Sequence, residues 1–314
     1  MIGFDIGGTK CAVSVGYERE GALHIREKKI IPTNLSIPPI EMIERMCALA
    51  ENMTDDFSRI GISCGGPLNS QTGKILSPPN LPGWDDVSIA EYLTRRYGGK
   101  VLLQNDANAC AVAEWKYGAG AGCKNMIFLT FGTGLGAGLI LDGKLYAGTT
   151  DMAGEAGHVR LRRSGPVGYG KAGSFEGFCS GGGIARMGRA LAEKRLAKNQ
   201  TVSFCKSTDE LDSITAQSIA MHADAGEADA IGIYRKCGTM LGEGLSMLID
   251  ILNPECIVIG SVFLRAEHLL RPAMEATIAR ESLRYASDAC RIVPAGLGER
   301  LGDYAALSVA ASIE

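Results

Sequence analysis

Short apolar runs that end in glycine or small polar residues recur along the chain and predict buried β-strands. The predicted strands cover residues 1–6, 11–15, 59–64, 101–103, 127–129, 139–141, 144–146, 256–259 and 291–294. Apolar residues at helical spacing lie between them and predict helices at 40–53, 86–97, 107–116, 184–197, 214–251 and 303–313, with a break near Gly238. Strands alternating with helices indicate an α/β protein.

Two strand pairs share one pattern, in which a glycine-rich turn with a threonine joins two strands. The first glycine turn is Gly7-Gly8-Thr9-Lys10, directly after Asp5, and the second is Gly132-Thr133-Gly134-Leu135-Gly136. Glycines let backbone N–H groups approach an anion closely, so the two turns predict a grip on nucleotide phosphates. The spacing does not fit a P-loop. The alternative interpretation is a pair of plain glycine hairpins, with Asp5 as a solvated turn acid.

Polar side chains that could act in catalysis or ligand binding follow other predicted strands. Asp106 stands at a strand end that opens a helix, where a carboxylate can accept a proton from a hydroxyl nucleophile, and Asn105 beside it can hold the same substrate. Glu155 and His158 lie in a glycine-rich segment and suit hydrogen bonds to a polyol. The alternative for the first group is that Asp106 or Asn108 only caps the helix.

Bulk properties narrow the class of protein. A length of 314 residues predicts two domains. The net charge is −3 and there is no basic block, so the sequence gives no sign of a positively charged surface for nucleic acid. We expect neither a signal peptide nor a membrane helix, because no apolar run approaches about 18 residues. Ten scattered cysteines without a Cys-x-x-Cys pair indicate reduced thiols and a cytoplasmic protein.

Together these motifs resemble the ROK family of bacterial sugar kinases and sugar-responsive repressors. The segments that carry the resemblance are 5–10, 79–84, 105–108, 132–136, 155–158, Glu176 with Ser180-Gly181, and 301–306. The resemblance implies an actin-like ATPase (ribonuclease H-like) fold, with two lobes that each hold a mixed β-sheet flanked by helices and with a ligand cleft between them. The small lobe would comprise 1–116 plus 300–314, and the large lobe 117–299.

The resemblance also implies roles for individual residues. Asp106 would be the catalytic base, and Asp5 the acid near Mg²⁺. The predicted sugar-binding residues are Gly66, Asn105, Asp106, Glu155, His158 and Glu176. The predicted ATP-binding residues are Asp5, Gly8, Thr9, Lys10, Gly132, Thr133, Gly134 and Gly260.

Two segments depart from the family pattern. Many members hold a structural zinc with the histidine of the 155–158 motif and three cysteines, but those positions here are Val167, Tyr169 and Ser174. We therefore predict no zinc, and a loop ordered by packing of Tyr169, Phe175 and Phe178. Gly260-Ser261-Val262 replaces the usual glycine run near the adenosine, which leaves the nucleotide preference open.

The sequence thus predicts a kinase that transfers phosphate from ATP to a hexose or N-acetylhexosamine, without a DNA-binding domain and, by family analogy, as a homodimer. The sugar and the hydroxyl are not specified. One alternative is a catalytically silent sugar sensor, which the intact Asp106 disfavours. The other is an actin-like ATPase with a protein partner, which Glu155, His158 and Glu176 disfavour.

Overall fold

A computed structural model describes residues 1–313, which form fourteen strands and ten α-helices. The strands are β1 (Ile2–Ile6), β2 (Lys10–Arg19), β3 (Ala22–Pro32), β4 (Arg59–Cys64), β5 (Leu68–Asn69), β6 (Lys74–Ile75), β7 (Lys100–Asn105), β8 (Met126–Phe131), β9 (Leu135–Leu141), β10 (Lys144–Tyr146), β11 (Val167–Gly168), β12 (Lys171–Ala172), β13 (Cys256–Ile259) and β14 (Arg291–Pro294). The α-helices are α1 (Pro39–Glu51), α2 (Ile89–Tyr97), α3 (Asp106–Tyr117), α4 (Phe175–Phe178), α5 (Gly181–Leu196), α6 (Ala216–Asp224), α7 (Ala228–Leu252), α8 (Val262–Glu281), α9 (Arg284–Ala289) and α10 (Leu301–Ala311). Short 3₁₀ turns occupy Ala156–His158, Thr208–Ser213 and Gly298–Arg300.

Two five-stranded sheets have the same strand order. The first runs β3-β2-β1-β4-β7 and the second runs β10-β9-β8-β13-β14. In the first sheet β3, β2 and β1 are antiparallel neighbours, whereas β1, β4 and β7 are parallel. In the second, β10 is antiparallel to β9, and β13 is parallel to β14. The repeat that the two glycine turns indicated in the sequence therefore extends to two whole sheets.

Internal contacts divide the described chain into two compact units. The first unit comprises Met1–Phe128, Gly138–Gly154 and the residues from Ala295 onward. The second unit comprises Leu129–Ala137 and Glu155–Pro294. The predicted lobe boundaries remain a prediction, and Glu314, which ended the predicted small lobe, lies outside the described residues. Within residues 1–313, no helix has the length and apolar character that a membrane crossing requires.

The core of the first unit follows from alternation along its strands. Ile2, Phe4, Ile60 and Ile62 are buried in one cluster with the apolar stripe of α1. The intervening glycines face the other way, because a Cβ at Gly61 would lie 2.2 Å from the Ala306 carbonyl oxygen of α10. Glycines on the sheet and alanines on α10 therefore let this helix pack directly on the sheet.

The second unit is built around the long helix α7. A Cβ at Gly238 would lie 2.5 Å from the Leu270 carbonyl oxygen, so this glycine permits close packing of α8 and does not break the helix. The predicted break near Gly238 is therefore wrong. The chain divides instead between α6 and α7, where Gly226 adopts a positive φ of 87°. The other predicted helices are confirmed as α1, α2, α3, α5 and α10, with ends shifted by a few residues.

Candidate active site

The first glycine turn lies in the first unit and joins β1 to β2. The Gly7 N–H donates to the Lys10 carbonyl at 3.1 Å, which closes the turn. Thr33, which directly follows β3, fixes this turn. Its hydroxyl donates to the Gly7 carbonyl at 2.5 Å, and its N–H donates to the Thr9 carbonyl at 3.0 Å. The side chains of Thr9 and Lys10 are exposed and accessible to a ligand. Thr33 carries no sequence motif and was not predicted.

Gly8 is required by a close approach from the proline-rich loop at 77–84. A Cβ at Gly8 would lie 2.3 Å from the Asn80 carbonyl oxygen. Leu81 and Trp84 are buried and anchor the loop, whereas the Asn80 side chain stays exposed. The loop therefore forms a wall beside the first glycine turn.

Parallel pairing brings the acids of the first unit to one sheet edge. Ile6 pairs with Cys64 and Cys64 pairs with Asn105, so the residues after them share the edge where β1, β4 and β7 end. Asp5 lies just before this edge, and Asp106 begins α3 there. In open α/β sheets, ligands bind outside the carboxyl ends of such strands.

Burial disfavours the ionised forms of both Asp5 and Asp106. Burial and the nearby charge of Asp106 raise the pKa of Asp5 to about 6, although a hydrogen bond with Ser63 and the charges of Lys28 and Lys10 oppose this shift. The Asp106 side chain keeps solvent-accessible surface, yet the protein around it raises its pKa, against a 2.8 Å hydrogen bond from the Ala107 N–H. A carboxylate with a raised pKa is a stronger base.

Asn105 is the N-cap of α3. Its Oδ1 accepts from the N–H of Ala107 at 2.9 Å and from the N–H of Asn108 at 3.4 Å. Its Nδ2 would lie 3.3 Å from a Cβ at Gly66, so the two residues are adjacent. The structure therefore brings Gly66, Asn105 and Asp106 together. The N-cap of α3 is Asn105 and not Asp106 or Asn108, although Asp106 Oδ1 also accepts the Ala107 N–H.

The acid pair fits a cation of the magnesium type. The two carboxylates, whose pKa values are both raised, supply hard oxygen donors, and Mg²⁺ typically binds one or two carboxylates plus substrate phosphates. Residues 1–313 contain no group of three or more His, Cys, Asp or Glu side chains that could form a complete protein cage for a metal. The donor set thus suits a cation that arrives with a phosphate ligand.

The second glycine turn joins β8 to β9 and belongs to the second unit. The Gly132 N–H donates to the Gly134 carbonyl at 3.0 Å, and the Gly136 N–H donates to Thr130 Oγ1 at 2.9 Å. The Gly132 carbonyl accepts from the Gly181 N–H at 2.7 Å, so the N-terminus of α5 meets the turn. Helix N-termini favour anions, which agrees with phosphate binding at Gly132, Thr133 and Gly134.

Three predicted sugar ligands gather around the end of this turn. Glu176, on α4, accepts a hydrogen bond from the Leu135 N–H at 3.0 Å. Glu155 and His158 flank the 3₁₀ turn, where a Cβ at Gly157 would lie 2.0 Å from the Leu135 carbonyl oxygen. The side chains of Glu155 and His158 are exposed, and that of Glu176 is half-buried. The second unit therefore places two acids and an imidazole beside its glycine turn.

The loop at 159–178 is held by hydrogen bonds and aromatic packing. Ser174 is fully buried, accepts from the Gly177 N–H at 3.1 Å and donates to the Gly168 carbonyl at 3.3 Å. Phe175 and Phe178 are buried, as predicted, but Tyr169 is 69% exposed, so its predicted packing role is wrong. Val167 and Ser174 offer no zinc-binding group of the usual kind, and the residues present do not fit that metal.

Gly260 and Ser261 lie next to the second glycine turn. The Gly260 N–H donates to the Leu129 carbonyl at 3.0 Å, and Ser261 Oγ would lie 3.7 Å from a Cβ at Gly132. Ser261 has φ 51° and ψ −106°, a conformation that glycine adopts more easily than serine. The segment that departs from the family's glycine run therefore carries backbone strain at the N-terminus of α8.

Comparison with known proteins shows where the chain belongs. A model of the ROK family matches residues 1–312. A glucokinase of Streptomyces coelicolor is 31% identical over 262 residues, which cover 82% of this chain and 80% of that protein. An N-acetylmannosamine kinase of Citrobacter koseri is 29% identical over 260 residues, 82% of each chain. A xylose repressor of Caldicellulosiruptor bescii is 30% identical over 224 residues, 70% of this chain and 54% of that protein.

Solved structures agree with the sequence comparison. A ROK family glucokinase from Streptomyces griseus, in complex with glucose and AMPPNP, matches with a TM-score of 0.74 and 28% identity. The match covers 98% of this chain and 97% of that one. The predicted actin-like ATPase fold, with two mixed sheets flanked by helices, is confirmed.

Proposed function

The chain belongs to the ROK family, and we propose that it is a kinase that transfers the γ-phosphoryl group of ATP to a hydroxyl of a hexose or N-acetylhexosamine. The observation that carries the proposal is Asp106, an accessible carboxylate at the start of α3 with a raised pKa, beside Asn105 and Gly66. Glucokinase and N-acetylmannosamine kinase relatives support both sugar classes.

In this proposal Asp106 is the general base. The sugar hydroxyl gives its proton to the carboxylate, its oxygen attacks the γ-phosphorus in line, and the bond from phosphorus to the bridging oxygen of ADP breaks. The Ala107 N–H holds one carboxylate oxygen in place. The same hydrogen bond opposes the rise in the pKa of Asp106 that burial causes, because it favours the ionised form.

The two glycine turns and the lysine bind the nucleotide. Exposed backbone and side-chain donors at Gly8, Thr9 and Lys10 contact phosphate oxygens, and the second glycine turn contributes Gly132, Thr133 and Gly134. Gly260 borders the adenosine. Asp5, with Asp106, would hold Mg²⁺, which when bound neutralises charge on the transferred phosphate.

Polar side chains bind the sugar. Asn105 uses its amide N–H group, since its oxygen caps α3, and Gly66 leaves room beside that amide. Glu155, His158 and Glu176 accept or donate hydrogen bonds to sugar hydroxyls. Because a site built to bind hydroxyls leaves polar groups unpaired with the wrong sugar, these residues would determine substrate choice.

A sugar sensor without catalysis is the second candidate, and the similarity to a xylose repressor favours it. The two functions differ in whether ATP turnover depends on sugar. A homodimer, which the resemblance implies, remains a prediction that light scattering can test.

The experiment is an ADP-release assay with ATP and Mg²⁺ over hexoses and acylated hexosamines. We expect one sugar to stimulate turnover and Asp106→Asn to reduce kcat by about 10²-fold or more. Asp85→Asn, which changes an exposed acid of the same unit, serves as the matched control and should leave kcat unchanged. If no sugar stimulates the wild type, the kinase proposal fails, and sugar-dependent thermal shifts would then identify a sensor.

A further inference from the structure

The hairpin that joins β11 to β12 has an unusual residue at its tip. Gly168 pairs with Lys171, which leaves the two-residue turn Tyr169-Gly170. Both turn residues have positive φ, 43° and 72°, the pattern of a type I′ turn. This turn favours asparagine, aspartate or glycine at its first position, and a bulky side chain there is an outlier.

Two other hairpins of the chain show what this turn usually holds. Glu20-Gly21 joins β2 to β3 with φ values of 54° and 76°, and Asp142-Gly143 joins β9 to β10 with 51° and 70°. In both turns the first residue is a solvated acid. Tyr169 occupies the same backbone conformation with a large aromatic ring.

Burial does not offset this backbone strain. Tyr169 is 69% exposed, and its ring contact is with the His158 ring, at 6.1 Å between centroids and 78° between planes. The hairpin is fixed to the His158 segment, because Lys171 Nζ donates to the His158 carbonyl at 2.7 Å and Arg160 donates to the Ala172 carbonyl at 2.6 Å. The fold therefore holds a solvent-facing ring beside His158, and strain of this kind accompanies functional sites.

The ring extends a surface already assigned to sugar binding. Glu155 and His158 stand three residues apart across a 3₁₀ turn, a spacing that places side chains on one side. Both are exposed, so Glu155, His158 and Tyr169 form one surface with an acid, an imidazole and an aromatic face. A pyranose presents hydroxyls at its rim and an apolar C–H face, and an exposed tyrosine supplies a rigid face of matching character.

We propose that Tyr169 contacts the apolar C–H face of the sugar whose hydroxyls are bound by Glu155 and His158, and that it distinguishes pyranose epimers. An axial hydroxyl on the contacted face would interrupt the contact and leave a polar group against the ring. This inference rests on the proposed function, because the sugar assignment of Glu155 and His158 comes from it.

The test measures stability and sugar affinity in Tyr169→Asn. Asparagine suits the turn, so the melting temperature should rise, while the sugar Kd by calorimetry and the sugar KM should increase about three- to tenfold. The KM for ATP should not change. Tyr169→Phe keeps the ring and should keep the affinity. Glu20→Asn makes the same turn substitution in the first unit, so it should raise the melting temperature and leave sugar affinity unchanged.

Opposite changes in stability and affinity separate a contact from a structural role. Tyr169→Gly, which also suits positive φ, must reproduce the loss of affinity and reduce discrimination between epimers. If wild type phosphorylates a sugar and both variants bind it unchanged, this inference is overturned and the kinase proposal survives. If wild type binds sugar without phosphorylating it and the variants lose binding, the contact stands and the kinase proposal fails. If wild type neither binds nor phosphorylates any sugar, both are overturned.

Discussion

The Glu176 carboxylate accepts a hydrogen bond from the Leu135 N–H at 3.0 Å, and its Oε2 would lie 2.7 Å from a Cβ at Gly134. The resemblance assigns Glu176 to the sugar and Gly134 to the ATP phosphates. A carboxylate assigned to the sugar therefore lies against the turn assigned to the phosphates. Gly134 has no side chain where this carboxylate sits. The glycine therefore serves the packing of Glu176 as well as phosphate approach.

We predict that Glu176→Gln weakens sugar binding with little loss of stability. Glutamine retains a carbonyl oxygen for the Leu135 N–H but loses the charge that strengthens hydrogen bonds from sugar hydroxyls. Since a charged hydrogen bond exceeds a neutral one by about 1 kcal/mol, the sugar KM should rise roughly five- to tenfold. Steady-state kinetics measures this change. Glu193→Gln, an exposed acid on α5, is the control, and an unchanged KM in Glu176→Gln would exclude a sugar contact.

We predict that Asp5→Asn stabilises the metal-free protein at pH 8. The pKa of Asp5 is about 6 in the folded protein, against an ordinary value of 3.8. Between these pH values Asp5 ionises in the unfolded chain before it ionises in the folded protein, and this difference favours unfolding. The wild type should therefore lose stability as pH rises through this window, by on the order of 2 kcal/mol. Urea unfolding in chelator, at pH 4 and pH 8, measures the difference from the variant.

At pH 4, close to the ordinary pKa of 3.8, Asp5 is protonated in the folded protein and roughly half protonated in the unfolded chain, so the free energies of unfolding of the two proteins should differ by only about 0.5 kcal/mol. Asp85→Asn, which removes an exposed acid of the same unit, is the control. A wild type that is more stable than Asp5→Asn at pH 8 without metal would contradict the raised pKa of Asp5, which burial and the charge of Asp106 cause.

We predict that Ser261→Gly stabilises the protein by about 1 kcal/mol. Serine at φ 51° is strained, and glycine adopts this conformation without that cost. Denaturant unfolding gives the free energy. Ser88→Gly, at the N-cap of α2 where φ is −78° and the side chain makes no capping hydrogen bond, should instead destabilise, because glycine there only adds freedom to the unfolded chain. The same sign for both variants would show that strain at Ser261 is not the cause.

We predict that Glu114→Gln destabilises the protein by about 2–4 kcal/mol. Glu114 is fully buried on α3, and its carboxylate accepts from the N–H groups of Ala119 at 2.8 Å, Gly296 at 3.0 Å and Leu297 at 2.9 Å. In glutamine, one of the two carboxylate oxygens is replaced by an NH₂ group. This group would face a backbone N–H, so two hydrogen-bond donors would oppose each other. Thermal and urea unfolding measure the loss, with Glu193→Gln as the exposed control. A loss below about 0.5 kcal/mol would mean that these backbone groups find other partners.

The sequence by itself determined the features that depend on neighbouring residues. Strand and helix periodicity, the two glycine turns, and the position of Asp106 between β7 and α3 are local patterns, and the structure has them where predicted. Such features need only backbone preferences and side-chain spacing. The sequence showed a repeat only in the two glycine turns, and the common order of the two sheets became visible in the structure.

Tertiary structure decided which distant residues serve these motifs. Thr33 closes the first glycine turn, the Asn80 carbonyl explains Gly8, and Glu114 binds Leu297 across 183 positions. Gly238 looked like a helix break and is a packing contact, and Tyr169 looked like a core residue and faces solvent. Packing places residues by the space and partners that other segments supply, and local sequence does not contain that information.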